Sequence, residues 1–154
     1  MSEDPWQPWR DRVGEQLGVS PWHEITQERV NLFADATGDH QWIHVDPERA
    51  REGPFGGPIA HGHLTLSMVP MMLADLVRGP GVAMAVNYGL NRVRFTSPVA
   101  VGSRVRAIAA LKEVQDVPGG LQVVLEVKVE IEGQEKPACV AETVTRLYQA
   151  PASA

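Results

Sequence analysis

The chain has a single cysteine, Cys139, among 154 residues. That excludes an intramolecular disulfide and a thiolate zinc cluster built within one chain. Positive charge is also scarce. Lys and Arg total 14 against 19 Asp and Glu, a formal net charge of −5 with no basic block to offset it. This balance argues against a general nucleic-acid binder. No basic segment leads into an apolar stretch near the N-terminus, so no secretory signal is read there. The most apolar stretch, residues 59–77, is interrupted by His61, His63, Pro70 and Asp75 and makes a poor membrane span. The expected location is cytoplasmic, with neither nucleic acid nor membrane as a partner. No internal repeat or low-complexity segment is present.

What remains is ordinary for a soluble globular protein: 44% hydrophobic and 21% charged residues in a length that suits one domain with its own core. Pro5, Trp6, Pro8 and Trp9 crowd the beginning. Residues 1–20 therefore read as an arm packed by its aromatics, with a short helix from about Trp9 to Leu17 stopped by Gly18. Residues 21–150 read as a single domain.

Helix signals dominate the first half. Thr26 is placed to cap a helix, with Glu28 in the first turn, where negative charge suits the helix dipole. Val30, Phe33, Ala34 and Thr37 recur at helical spacing, and Gly38 suits the left-handed position that ends a helix. Another helix opens with Asp46 as cap and Pro47 in the first turn. On the short connection between them stand Asp39 and His44, five residues apart. A carboxylate and an imidazole on a loop pinned at both ends are suited to holding one water molecule. Gly53-Pro54-Phe55-Gly56-Gly57-Pro58 is a dense turn signal. From Ile59 to Arg78 the chain is apolar on nearly every face, which predicts a helix buried on all sides. Pro70 should kink it and lose the bond to the Leu66 carbonyl.

The second half reads as strands. Leu121, Val123, Leu125, Val127, Val129 and Ile131 alternate with mainly polar neighbours, the period-two pattern of a half-buried strand. Asn87–Phe95, Arg104–Glu113 and Ala138–Tyr148 are further strands, separated by turn signals at Ser97-Pro98, Gly102, Pro118-Gly119-Gly120 and Gly133. A central helix followed by an antiparallel meander is an α+β layout.

The stretch from Phe33 to Ala50, with Gly38-Asp39 followed by Ile43-His44, resembles the hydratase motif of the MaoC-like (R)-specific enoyl-CoA hydratases. Ala60-His61-Gly62 resembles the segment that begins the central helix in the same family. Where the family commonly has Asn-Pro, this chain has Gln41-Trp42, a variant similar to the subgroup that includes nodulation protein N relatives. The resemblance implies a hotdog fold, a curved antiparallel β-sheet wrapped around a long central helix. It also implies reversible addition of water to a trans-2-enoyl thioester, giving the (R)-3-hydroxyacyl product. Coenzyme A or an acyl carrier protein is the substrate's handle, no further cofactor or metal is implied, and a homodimer is expected.

That chemistry needs a base for water, an acid for the α-carbon and a donor for the thioester oxygen. The resemblance assigns the first two to Asp39 and His44 and the third to the Gly62 amide. Gln41, Trp42 and His61 are further pocket candidates, Trp42 as a residue covering the site. Plainer readings stand beside these: Asp39 as a turn aspartate, His44 as a buried histidine satisfied by a carbonyl, Gly62 as a packing glycine. For metal binding, His40/His44 and His61/His63 are the spacings to weigh, and neither converges well. Arg92, Arg94, Arg104 and Arg106, at alternate positions on neighbouring predicted strands, form a stripe able to meet phosphates, a solvated face or a partner. Met68, Met71, Met72 and Met84 suit either a core or an acyl tunnel. Two alternative functions remain: a hotdog thioesterase and a non-catalytic acyl-thioester binding module.

Overall fold

The alternation read in residues 121–131 is the backbone of the core. In the computed structural model, which describes residues 3–77, 79 and 81–150, Leu121, Val123, Leu125, Val127, Val129 and Ile131 are all buried. They lie on a strand, Gly120–Ile131, whose other positions are half-exposed or exposed apart from buried Gly120 and Val124.

In chain order the elements are α1 (Gln7–Arg10), β1 (Gln16–Val19), β2 (His23–Glu24), α2 (Gln27–Thr37), α3 (Trp42–Val45), α4 (Pro47–Arg51), α5 (Gly62–Ser67), α6 (Val69–Val77), β3 (Met84–Phe95), β4 (Arg104–Val117), β5 (Gly120–Ile131) and β6 (Cys139–Tyr148). All strands join one antiparallel sheet in the order β1-β4-β5-β6-β3, with β2 also paired to β4. The α+β expectation holds. The simple meander does not, because β3 pairs with β6 and not with β4. The turn signal at Ser97-Pro98 therefore opens a crossover to the far side of β5 and β6.

That topology also separates the arginine stripe. Arg92 and Arg94 lie on β3, while Arg104 and Arg106 lie on β4, with β5 and β6 between. The latter pair is engaged with β5 and its end, Arg104 with Glu132 at 2.5 Å and Arg106 with Glu130 at 2.9 Å.

Against the apolar face lie α5 and α6, α5 beside β6 and α6 beside β1 and β4. The expected helix from Ile59 to Arg78 is shorter and divided. Ile59 and Ala60 are extended, with Ile59 bridged to Ala100, and the helix begins at Gly62. It breaks at Met68, two residues before Pro70, whose nitrogen has no hydrogen for the Leu66 carbonyl. Arg78 lies outside the described residues. The element is also not buried on every side. Leu64, Met68, Val69, Met72 and Leu73 enter the core, whereas His63, Ser67, Pro70, Met71 and Asp75 form an exposed stripe. Among the described residues, no helix is long and apolar enough to cross a membrane.

The beginning of the chain differs from expectation as well. The predicted helix to Leu17 is only the turn α1, and Gln16–Val19 pairs instead with β4. Trp6 and Trp9 are buried in the main core. Tertiary pairing overrides the weak helical signal here.

Gly38 ends α2 with φ +80°, its amide donating to the Ala34 carbonyl at 2.8 Å, and so aims the chain at Asp39. A Cβ in that conformation costs about 1–2 kcal/mol. Gly38→Ala should lower the urea midpoint by that amount of stability with an unchanged m-value, checked by equilibrium unfolding.

Candidate active site

Three short pieces of backbone converge at one end of α5. The first is the exit of α2. Thr26 Oγ1 accepts the Arg29 amide at 3.1 Å, the cap read from the sequence, and Gly38 closes the other end. Asp39 follows with an exposed side chain, whose Oδ1 lies 3.4 Å from the amide of Gln41.

The second piece is α3. The connection expected to be a loop contains one helical turn, Trp42–Val45, and His44 sits on it. Asp46 then caps α4 by accepting the Arg49 amide at 3.1 Å, and Pro47 is in the first turn, as the residues predicted. The Gln27 side chain donates to the His44 carbonyl at 2.8 Å, so α3 is tied to the start of α2.

The third piece is the segment from Ile59 to Gly62. The Ile59 amide donates to the Ile43 carbonyl at 3.0 Å, and the Ile59 carbonyl lies 2.7 Å from His44 Nδ1. A carbonyl can only accept, so Nδ1 carries the hydrogen and Nε2 presents its lone pair. The plain reading of His44 as a buried histidine bonded to a carbonyl is thus half of its chemistry. The bond fixes the tautomer that leaves a base on the other side of the ring. His44 is 6% exposed. Burial, foremost, and then the neighbouring His61 hold its pKa below the ordinary 6.5, against the bond to Ile59 and the charge of Asp39.

His61 completes the cluster. It is buried, its Nε2–H donates to the Asp39 carbonyl at 2.9 Å, and its ring stacks on His44 with centroids 3.9 Å apart. Asp39, His44 and His61 each present a ligand atom within 4.8 Å of the others. This trio was not among the spacings weighed from sequence. His40 instead bonds Asp35 at 2.8 Å, and His63 meets Phe95 edge-on. The trio falls one donor short of a closed zinc site.

Gly62 occupies the first position of α5, where amides have no partner within the helix. The preceding His61 makes no side-chain cap. A Cβ at Gly62 would lie 3.0 Å from the Phe95 ring, so packing also calls for glycine here. Trp42, the residue expected to cover the site, opens α3 and is half-buried. The Arg49 guanidinium lies over its ring at 4.4 Å, and Gly53 leaves room for its edge, where a Cβ would come within 2.9 Å. Gln41 is exposed.

Beyond Leu66, one turn along from Gly62, a cavity of about 830 Å³ opens between the helices and strands β3 and β6. Leu66, Leu73, Val77, Met84, Leu90 and Leu125 are among its apolar walls. Cys139 pairs with Phe95 across the sheet and is fully buried in the core, where burial pushes its thiol up to about 11.

The family of the MaoC like domain matches residues 9–134. The chain belongs to the MaoC-like family. It is 58% identical over 135 residues to 3-hydroxyacyl-thioester dehydratase Z of Mycobacterium tuberculosis (strain ATCC 25618 / H37Rv), covering 87% of this chain and 89% of that one. It is 50% identical over 137 residues to nodulation protein N of Rhizobium leguminosarum bv. viciae, covering 87% and 85%. Its fold matches that of the (R)-hydratase from A. caviae involved in PHA biosynthesis with a TM-score of 0.74, at 24% identity and covering 88% of this MaoC-like chain and 96% of that one. The α+β layout read from the residues and the hotdog fold implied by the resemblance are those of this family.

The depressed pKa of His44 has a definite sign. The unfolded chain binds that proton more tightly, so stability is lost as pH falls through and below the ordinary histidine range and is complete above it. An NMR titration should place the His44 midpoint below 6.5 and that of exposed His40, raised by its bond to Asp35, above it.

Proposed function

We propose that this MaoC-like protein is an (R)-specific hydratase/dehydratase of acyl thioesters, adding water reversibly to trans-2-enoyl chains carried on coenzyme A or acyl carrier protein. The observation that carries this reading is His44: its Nδ1–H is committed to the Ile59 carbonyl, and its free Nε2 lies on the side chain clustered with Asp39. The relative in Mycobacterium tuberculosis, by its name a 3-hydroxyacyl-thioester dehydratase, supports it.

In the proposed reaction Asp39 and His44 hold one water by its two hydrogens. As the water oxygen bonds to C3, the neutral imidazole or the carboxylate takes its proton. The same proton is then delivered to C2, so one water is added and no further acid is consumed. Electron density moves onto the thioester oxygen meanwhile. The Gly62 amide is the donor that receives it, in a site where few water molecules compete. The acyl chain extends along α5 and α6 into the cavity beyond Leu66. Asp39→Asn and His44→Gln should each lower hydration of crotonyl-CoA by about 10²–10⁴-fold. The measurement is loss of enoyl absorbance, with melting temperature compared alongside. Absence of free thiol in the same assay separates hydration from thioester cleavage.

The working unit is a homodimer in this reading. Strand β3 is twelve residues long, pairs on one edge only among the described residues, and exposes Met84, Val86, Tyr88, Leu90 and Phe95. An apolar edge strand of that length needs a cover, and a second β3 running antiparallel supplies one. It would also screen the exposed stripe of α5 and α6 and close the cavity. Val86→Lys, which puts a charge on that strand, should shift the sedimentation mass from dimer to monomer.

A further inference from the structure

Among the described residues, the proposed roles leave one buried side-chain nitrogen without a hydrogen-bond partner, Nδ1 of His61. His61 stands at the cap position of α5, where serine, threonine, aspartate or asparagine would ordinarily satisfy the first amides of the helix, and its side chain makes no such bond. The ring turns away to the opposite loop. It is 3% exposed, lies against Phe33 at 4.9 Å between ring centroids and stacks on His44 at 3.9 Å with an interplanar angle of 24°. Its Nε2–H reaches the Asp39 carbonyl at 2.9 Å, while its Nδ1 is fully buried without a hydrogen-bond partner.

Space-filling does not account for this choice. A phenylalanine ring would occupy a similar volume and stack on His44 without the unpartnered Nδ1. An orphaned buried acceptor costs free energy. What the imidazole adds is the bond to Asp39. That bond lands on a stretch held otherwise by exposed side-chain bonds, His40 to Asp35 and the Gln41 amide to Asp39: Asp39 is the first residue past the left-handed Gly38, and α3 begins only at Trp42. His61 is also the residue immediately before Gly62. One side chain therefore connects the exit of α2, the ring on α3 and the first amide of α5.

We propose that His61 is a positioning residue: it ties the Asp39 backbone to the His44 ring and to the start of α5, and so sets the spacing of the carboxylate, the imidazole and the Gly62 amide. This inference rests on the hydratase reading for its effect on turnover, though the tether itself does not. Misplacement of a catalytic group by about 1 Å costs about a hundredfold in rate.

Two variants separate tethering from packing. Glutamine can place an amide N–H where Nε2 stands but cannot stack, whereas phenylalanine stacks and fills but cannot donate. With crotonyl-CoA as the probe, His61→Phe should lose about a hundredfold in kcat with KM within about twofold. His61→Gln should recover a substantial part of that loss. The reverse order, or wild-type kcat in His61→Phe, overturns the proposal and makes the ring a packing group. Should a variant fail to fold, the wild-type protein decides: long-range ¹H–¹⁵N spectra should show His61 with hydrogen on Nε2, and the Nδ1–H tautomer overturns the tether. If the wild type hydrates no enoyl thioester of any chain length, the functional reading falls separately. Amide exchange across residues 39–43 then tests the tether, faster in His61→Phe than in His61→Gln if it stands and equal if it does not.

Discussion

The inner face of β5 must be kept dry, and that requirement organises the molecule. Six aliphatic side chains from Leu121 to Ile131 point to one side of the sheet, and whatever covers them must have its own backbone groups paired. α5 and α6 supply the cover through Leu64, Met68, Val69, Met72 and Leu73. Because the covering helix has to begin somewhere above the sheet, its first turn becomes a fixed point. Gly62, His61 and the extended Ile59-Ala60 are held there by bonds to Val99 and to Ile43. The candidate chemistry is assembled around that fixed start.

Electrostatics follow from the same burial. His44 lies among Ile59, His61 and the start of α2, so water is largely excluded from its ring and the neutral form is favoured. The carbonyl of Ile59 then selects which nitrogen keeps the hydrogen. Asp39, by contrast, stays exposed in the single chain. A neutral imidazole beside a solvated carboxylate is a division of labour set by depth.

The outer edge of the sheet is the complement of this dry centre. β3 is exposed along nearly its whole length in one chain, and the exposed stripe of α6 lies on the same side as the cavity it borders. Ion pairs on β4 and β5, such as Arg106 with Glu130, show how the solvated face is otherwise finished. β3 carries large apolar groups instead, and they are the ground for the proposed dimer.

Local signals determined much of this protein. Thr26 and Gly38 bounded α2, Asp46 and Pro47 opened α4, and the alternation in β5 named its buried face, because caps, turns and strand periodicity act within a few residues. The Asp39/His44 pair was legible for the same reason: its two anchors are local. Tertiary structure decided the rest. β1 and β2 exist because β4 offers an edge, not because Gln16–Val19 or His23–Glu24 prefers to be extended. The crossover that sends β3 beside β6, and so parts Arg92 from Arg104, is a long-range choice invisible to periodicity. Trp42 was drawn to Arg49 and Gly53 by a stacking partner on the next helix. His61 met Asp39 and His44 only when the start of the covering helix docked against the loop, since 22 residues of chain separate the two ends of its bond.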